Sequence, residues 1–181
     1  TKTLCTSPVC IGDYLKKSAL YLIIWCLVLM MLYLAFRFEL RFSVGALVAI
    51  VHDVMLSLLF CGFVGIEINI PIVAGVLTIF GYSINDTIVV YDRIRENLAN
   101  MVKHPFGEIA NRSISQTLNR TILTTLTTLM AVFCLYIMGE AVINDFALLL
   151  LFGFTMGIFS TVFVATPVIY EWKRLREKSG A

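Results

Sequence analysis

Charge is scarce in this chain. Of its 181 residues, 14% are Asp, Glu, Lys or Arg, where soluble domains carry about a quarter. That scarcity excludes an ordinary water-soluble domain, and the 59% of hydrophobic residues point to an integral membrane protein. The short alternating stretches of a membrane barrel are missing too, as are internal repeats. No Gly-rich phosphate loop, metal-ligand cluster or nucleophile motif occurs, so neither an enzyme nor a bound cofactor or metal is expected. The cysteines, Cys5, Cys10, Cys26, Cys61 and Cys134, lack metal-ligand spacing. Three lie in apolar runs as packing residues, while Cys5 and Cys10 flank a polar segment and would be free to pair if it is extracytoplasmic. No basic region with a small-residue cleavage site precedes the first apolar run, which is therefore no signal peptide. The chain is expected to begin partway through a larger protein or to have been trimmed.

What the chain has is long apolar runs. A membrane helix needs about 20 largely apolar residues, and five segments qualify: residues 18–36, 44–65, 69–92, 114–138 and 145–170. Backbone polar groups in lipid must be satisfied within the segment, so all five are predicted helical. The expected architecture is an all-α membrane protein, a five-helix transmembrane bundle over residues 18–172, with a lead-in at 1–17, a loop at 93–113 and a tail at 173–181. The loop reads as a polar helix end, a break at His104-Pro105-Phe106-Gly107, then a short amphipathic stretch.

Lys and Arg set the orientation. Arg37 and Arg41, then Arg93, Arg95, Lys103 and Arg112, then Lys173, Arg174, Arg176 and Lys178 fall on one side, the expected cytoplasm. The other two connections hold Glu67, Glu140 and Asp145 but no Lys or Arg, and face out. The lead-in must then also be outside despite Lys2, Lys16 and Lys17, which is tolerated after a large translocated domain.

Against this background three ionisable residues stand out. A charge at the centre of a membrane helix costs roughly 2.5–3.5 kcal/mol on insertion scales. Counting 1.5 Å per residue from the inner boundary, Asp86 and Arg120 lie about 9 Å deep and Asp53 about 13 Å. The third and fourth helices run antiparallel, so Asp86 and Arg120 are expected face to face. Thr117, Arg120, Thr121, Thr124 and Thr128 share a stripe on the fourth helix, and Thr78, Tyr82 and Asp86 one on the third. With His52, Asn85 and Ser57 these residues form a candidate polar seam. Each also has a plain structural reading. The threonines bond across helices, Arg120 snorkels to the interface, His52 packs, and Asp86 with Arg120 is a fixed ion pair. Gly153, Gly157, Thr161 and Ala165 recur every four residues on the fifth helix, a small-residue face for a helix contact that carries no chemistry.

The run GYSINDTIVVYDRIREN at residues 81–97 resembles the signature of SecF, the accessory subunit of the bacterial Sec export machine. His52-Asp53 and the stretch NRSISQTLNRTILTTLTTL at 111–129 resemble the same family. Tyr91 departs mildly from it, since the family often has Phe there. The resemblance implies helices two to six of a six-helix subunit, half of a pseudo-twofold unit of the resistance–nodulation–division type. The other half is SecD, separate or fused. It implies association with the SecY, SecE and SecG channel and with YajC in the bacterial cytoplasmic membrane, with the C-terminus cytoplasmic. It further implies use of the proton gradient, or of sodium, to draw out preproteins that SecA has pushed in. Asp86 matches the family's relay carboxylate and Arg120 its partner, with Asp53 a further member. The expected function is therefore a non-enzymatic translocation subunit. The alternatives are an assembly module of the Sec complex without its own relay, and a small-molecule exporter of the same superfamily.

Overall fold

The computed structural model describes residues 8–37, 40–101 and 104–178. Five long helices follow in order: α1 (Pro8–Arg37), α2 (Leu40–Val64), α3 (Ile70–Asn100), α4 (Phe106–Met138) and α5 (Ala141–Ser160). A π-helical turn, Thr161–Ala165, then joins α5 to α6 (Thr166–Lys178) in one continuous rod. No strand occurs among the described residues. Four stretches are long and apolar enough to cross a membrane: Phe42–Val64, Ile70–Asn100, Phe106–Met138 and Ala141–Trp172, with a shorter apolar stretch, Tyr21–Phe36, on α1. The all-α bundle is as expected. Of the Cys5–Cys10 pair raised from the sequence, Cys5 falls outside the described residues, whereas Cys61 is buried, Cys26 half-buried and Cys134 exposed.

Local chemistry explains the helix ends. Asn69 caps α3, its side chain accepting the Ile72 N–H at 3.0 Å, and Pro71 lies in the first turn, where no backbone donor is wasted. Gly65 closes α2 at φ +81°, and its N–H and that of Ile66 both donate to the Cys61 carbonyl at 3.0 and 2.9 Å. With 31 and 33 residues, α3 and α4 are about 46 and 50 Å long, well beyond the roughly 30 Å of hydrocarbon. Both overrun on the side where they meet, so most of the expected 93–113 connection is helix.

The bundle is centred on α3 and α5, which pack on each other and on α2 and α4, while α1 lies outside against α2. The α3–α5 contact runs in four-residue steps along both helices in the same direction. Gly153 meets Ile79, Gly157 meets Ser83, Thr161 meets Thr87, and the Ala165 carbonyl meets Tyr91. A Cβ on Gly153 would fall 2.2 Å from Ile79 Cδ1. The small-residue face expected of the fifth helix is thus an internal contact, and Thr161 adds a hydrogen bond to it. Tyr91 is fully buried and its hydroxyl donates to the Ala165 carbonyl at 3.1 Å, which gives the departure from Phe a partner. Gly45 makes room for that hydroxyl, since a Cβ there would lie 2.6 Å from it.

The widened π turn sits just ahead of Pro167. A proline inside a helix removes one donor and crowds the preceding turn, and an inserted residue relieves both. Here the Thr161 carbonyl accepts both the backbone N–H of Thr166 and, at 3.1 Å, its hydroxyl.

Candidate ion-relay site

Asp53 on α2 is buried to 1% exposure. Ser83 Oγ of α3 donates to Asp53 Oδ2 at 2.5 Å, and His52 Nδ1 lies 3.2 Å from Oδ1. Ser57 folds back instead, donating to the Asp53 backbone carbonyl at 2.8 Å. His52 itself is 41% exposed at its side chain, so it borders the carboxylate from the outside of the bundle.

Asp86 is half-buried between α3 and α4, and Thr121 Oγ1 donates to its Oδ1 at 2.6 Å. Thr161, at the start of the π turn, donates to the Gly157 carbonyl at 3.0 Å and lies 3.2 Å from Thr87 Oγ1. The expected ion pair with Arg120 is not formed. Arg120 is exposed, while Asp86 is bonded to Thr121. The reason is the phase of α4. Its buried hydroxyls are Ser113, Thr117, Thr121 and Thr125, four apart, which puts Arg120 one residue off that line. Its side chain lines a cavity of about 320 Å³ with Asp92, Arg93, Glu96, Gln116 and Thr117.

The same phase corrects the rest of the expected seam. Thr124 and Thr128 donate to carbonyls of their own helix, and Thr124 is exposed. Thr78 is likewise exposed and self-bonded to the Ala74 carbonyl, and Asn85 is exposed outside these hydrogen bonds. Tyr82 does join the α3–α4 contact, but through Thr125, to which its hydroxyl donates at 3.2 Å, with its ring against Phe154. Nearer the α3–α4 turn, Asn97 donates to Ser113 at 2.8 Å and to Gln116 at 3.0 Å, and Arg93 bridges Gln116 and Glu96.

The polar interior therefore has two branches. One runs between α3 and α4 through Tyr82–Thr125 and Asp86–Thr121. The other runs from Asp53 on α2 through Ser83 and Thr87 on α3 to Thr161. Ser83, Thr87, Thr125 and Thr161 were not singled out as site residues. The four-residue spacing of Ser83 and Thr87, inside the run that carries the family signature, was the available signal.

The fold and these groups define a multi-pass, all-α membrane protein with two acidic side chains inside its bundle. The model of the family "Protein export membrane protein SecD/SecF, C-terminal" matches residues 6–175, and the chain belongs to that family. The protein translocase subunit SecF of Endomicrobium trichonymphae is 44% identical over 164 residues, which are 90% of this chain and 53% of that protein. The subunit SecDF of Thermus thermophilus is 42% identical over 171 residues, 94% of this chain and 23% of that one. The crystal structure of SecDF from the same genus, described as a translocon-associated membrane protein, superimposes with a TM-score of 0.85 at 42% identity. That superposition covers 88% of this chain and 22% of the other. The chain thus spans about half the length of the SecF relative.

Proposed function

We propose that the chain is the membrane bundle of a SecF-type subunit that joins SecD and uses the proton motive force to promote protein translocation through the Sec channel. The observation that carries this reading is Asp86, a carboxylate inside the bundle held by the hydroxyl of Thr121, with Arg120 the next residue back on α4 and lining a cavity of its own. Desolvation favours the neutral acid and a nearby cation the charged form. Small movements of α4 that bring Arg120 closer would change which form is held. The N-terminus is extracytoplasmic and the C-terminus cytoplasmic in this reading, and SecD supplies the other half of a pseudo-twofold unit. Its surroundings are the bacterial cytoplasmic membrane, the SecY, SecE and SecG channel, YajC and the emerging preprotein. Support for a partner comes from α4, whose outward face exposes Asn119 and Arg120 among apolar residues, polar groups that are expensive against lipid.

The test is Asp86→Asn in the complete complex, reconstituted in vesicles. Gradient-driven completion of export falls to the rate seen without a gradient, while the ATP-driven part is unchanged. Normal gradient-driven export by the variant would sink the relay. A second reading, an assembly module, draws on the fact that both carboxylates are hydrogen-bonded across helices. It expects Asp86→Asn to lower complex abundance and leave the rate per complex alone.

A further inference from the structure

The rod of α5, the π turn and α6 runs from Ala141 to Lys178. At 1.5 Å per residue it is about 57 Å long, nearly twice the hydrocarbon of a bilayer, so its end lies outside the acyl chains. Contacts mark the level at which it leaves. The Tyr91 hydroxyl donates to the Ala165 carbonyl, and a Cβ on Gly45 would meet both Tyr91 and Ile169. On all three helices charge begins within about one turn of this level, at Arg41 on α2, Asp92 on α3 and Lys173 on α6. Trp172 stands three residues past Ile169, about 4.5 Å further out, which is headgroup depth. One flank of α6 is held to the bundle, since Ile169 is buried and Tyr170 packs over Phe106 and Gly107. Another flank carries the half-buried Val168 and, one turn on, Trp172, which is 43% exposed. The apolar stretch of the rod ends at this tryptophan. Four of the six residues from Lys173 to Lys178 are then Lys or Arg, against one acid, Glu177. Arg174 is exposed, and its bond to Glu171 at 3.2 Å uses one of its five N–H donors. A basic run that only fixed orientation would need no exposed tryptophan beside it.

We propose that α6 is a docking surface for anionic phospholipid. Val168 and Trp172 meet the boundary between headgroups and acyl chains, and the basic run Lys173–Lys178 holds negatively charged, phosphate-bearing headgroups. An indole is at home at that boundary, where its ring leaves water and its N–H stays wet. A basic cluster directly outside a membrane helix attracts anionic headgroups, each Lys or Arg near the surface strengthening the hold about fivefold. The apolar and the cationic contacts act together, as firm attachment to a membrane surface requires. Through Ile169 against Gly45 and Tyr170 against Gly107, lipid held by α6 also steadies the first turns of α2 and α4. The proposal goes beyond the relay reading, and nothing in it depends on Asp86.

The experiment uses the full chain with Trp25→Phe, which leaves Trp172 as its one tryptophan. It is reconstituted in phosphatidylcholine vesicles with a minor share of either phosphatidylglycerol or phosphatidylcholine brominated at the same acyl position. Bromine quenches indole fluorescence at contact, so the ratio of the two quenching constants reads the preference for anionic lipid. Brominated phosphatidylglycerol should be preferred about tenfold at low salt. The preference should approach one when Lys173→Gln, Arg174→Gln, Arg176→Gln and Lys178→Gln are combined. It should also approach one in about 1 M salt, where screening sets in beyond about 3 Å. The salt series decides the matter alone if the combined variant does not insert. Equal quenching by the two lipids at low salt, or a preference that outlasts high salt, overturns the proposal. Weak quenching by both lipids overturns it too, because Trp172 then lies off the bilayer. The complete complex provides the last arm, read as the difference between complexes with Trp172 and with Trp172→Phe. Quenching that persists there supports a lipid surface, whereas quenching lost on assembly overturns it in favour of an acidic surface on a partner subunit.

Discussion

If Asp86 relays protons as proposed, Thr121 is a better partner for it than an arginine in contact would be. A guanidinium only donates, so it binds the charged form and opposes proton uptake. A hydroxyl donates to a carboxylate and accepts from the neutral acid, so its bond to Asp86 survives either state. The same holds for Ser83 at Asp53. Thr121→Val removes that adaptable partner and leaves a half-buried carboxyl short of a bond, at about 1–3 kcal/mol. Gradient-driven export per assembled complex should drop, and Thr121→Ser should restore most of it. If the Val variant exports at the normal rate, the bond is incidental to Asp86. Tyr91 makes a contrasting case. Its hydroxyl is neutral and bonded to a backbone carbonyl, so Tyr91→Phe should cost only about 1 kcal/mol and leave the gradient response intact. Thermal unfolding and export measured on the same preparation check both halves.

At the scale of elements, the α3–α5 interlock holds the two branches at a fixed separation. Gly153→Val forces the helices apart against Ile79 and should destabilise the complex by about 1–3 kcal/mol, seen as a lower unfolding temperature in detergent. Gly62→Ala is the matched control, because a Cβ there meets nothing within 4 Å. It should be neutral or slightly stabilising through helix propensity. Equal shifts from the two variants would show that close approach at Gly153 is unimportant. This contact was legible in the sequence, because small residues four apart mark a tight helix interface. So were the apolar runs that make the bundle. The rotation of α4 was not. Hydroxyls lie on more than one face of α4, Thr117, Thr121 and Thr125 inward and Thr124 and Thr127 outward, so no contrast between a polar and an apolar side fixes its phase. That is why Thr125 points inward where Thr124 was expected, and why Thr121 meets Asp86 in place of Arg120. The π turn was equally hidden. Pro167 hints at strain, but a kink, a lost bond and an inserted residue all relieve it, and only packing selects among them.

At the scale of the whole molecule, the outer surface of α4 has no counterpart on α2. The exposed face of α2 presents Met55, Leu59 and Phe63, apolar groups suited to acyl chains. On α4, Arg120, Thr124 and Thr127 are exposed within one arc, beside Leu123 and Met130. Facing lipid, Arg120 would carry a cost, below the roughly 2.5–3.5 kcal/mol of a charge at mid-membrane because it lies nearer the interface. Facing a second bundle, it gains acceptors, and its cavity becomes enclosed. The position of Arg120 relative to Asp86 would then depend on what lies across the interface, which would link the proposed relay to the packing of the two halves. In the proposed reading, where SecD supplies that second bundle, Thr127→Trp should reduce recovery of SecD with the chain by about tenfold, equivalent to ~1.4 kcal/mol of association. Leu59→Trp, on the lipid-suited face of α2, should leave recovery unchanged. Co-purification from solubilised membranes, normalised to the level of the chain itself, decides the matter. Equal recovery in both variants would mean that SecD docks elsewhere and that Arg120 keeps the surroundings described for it here.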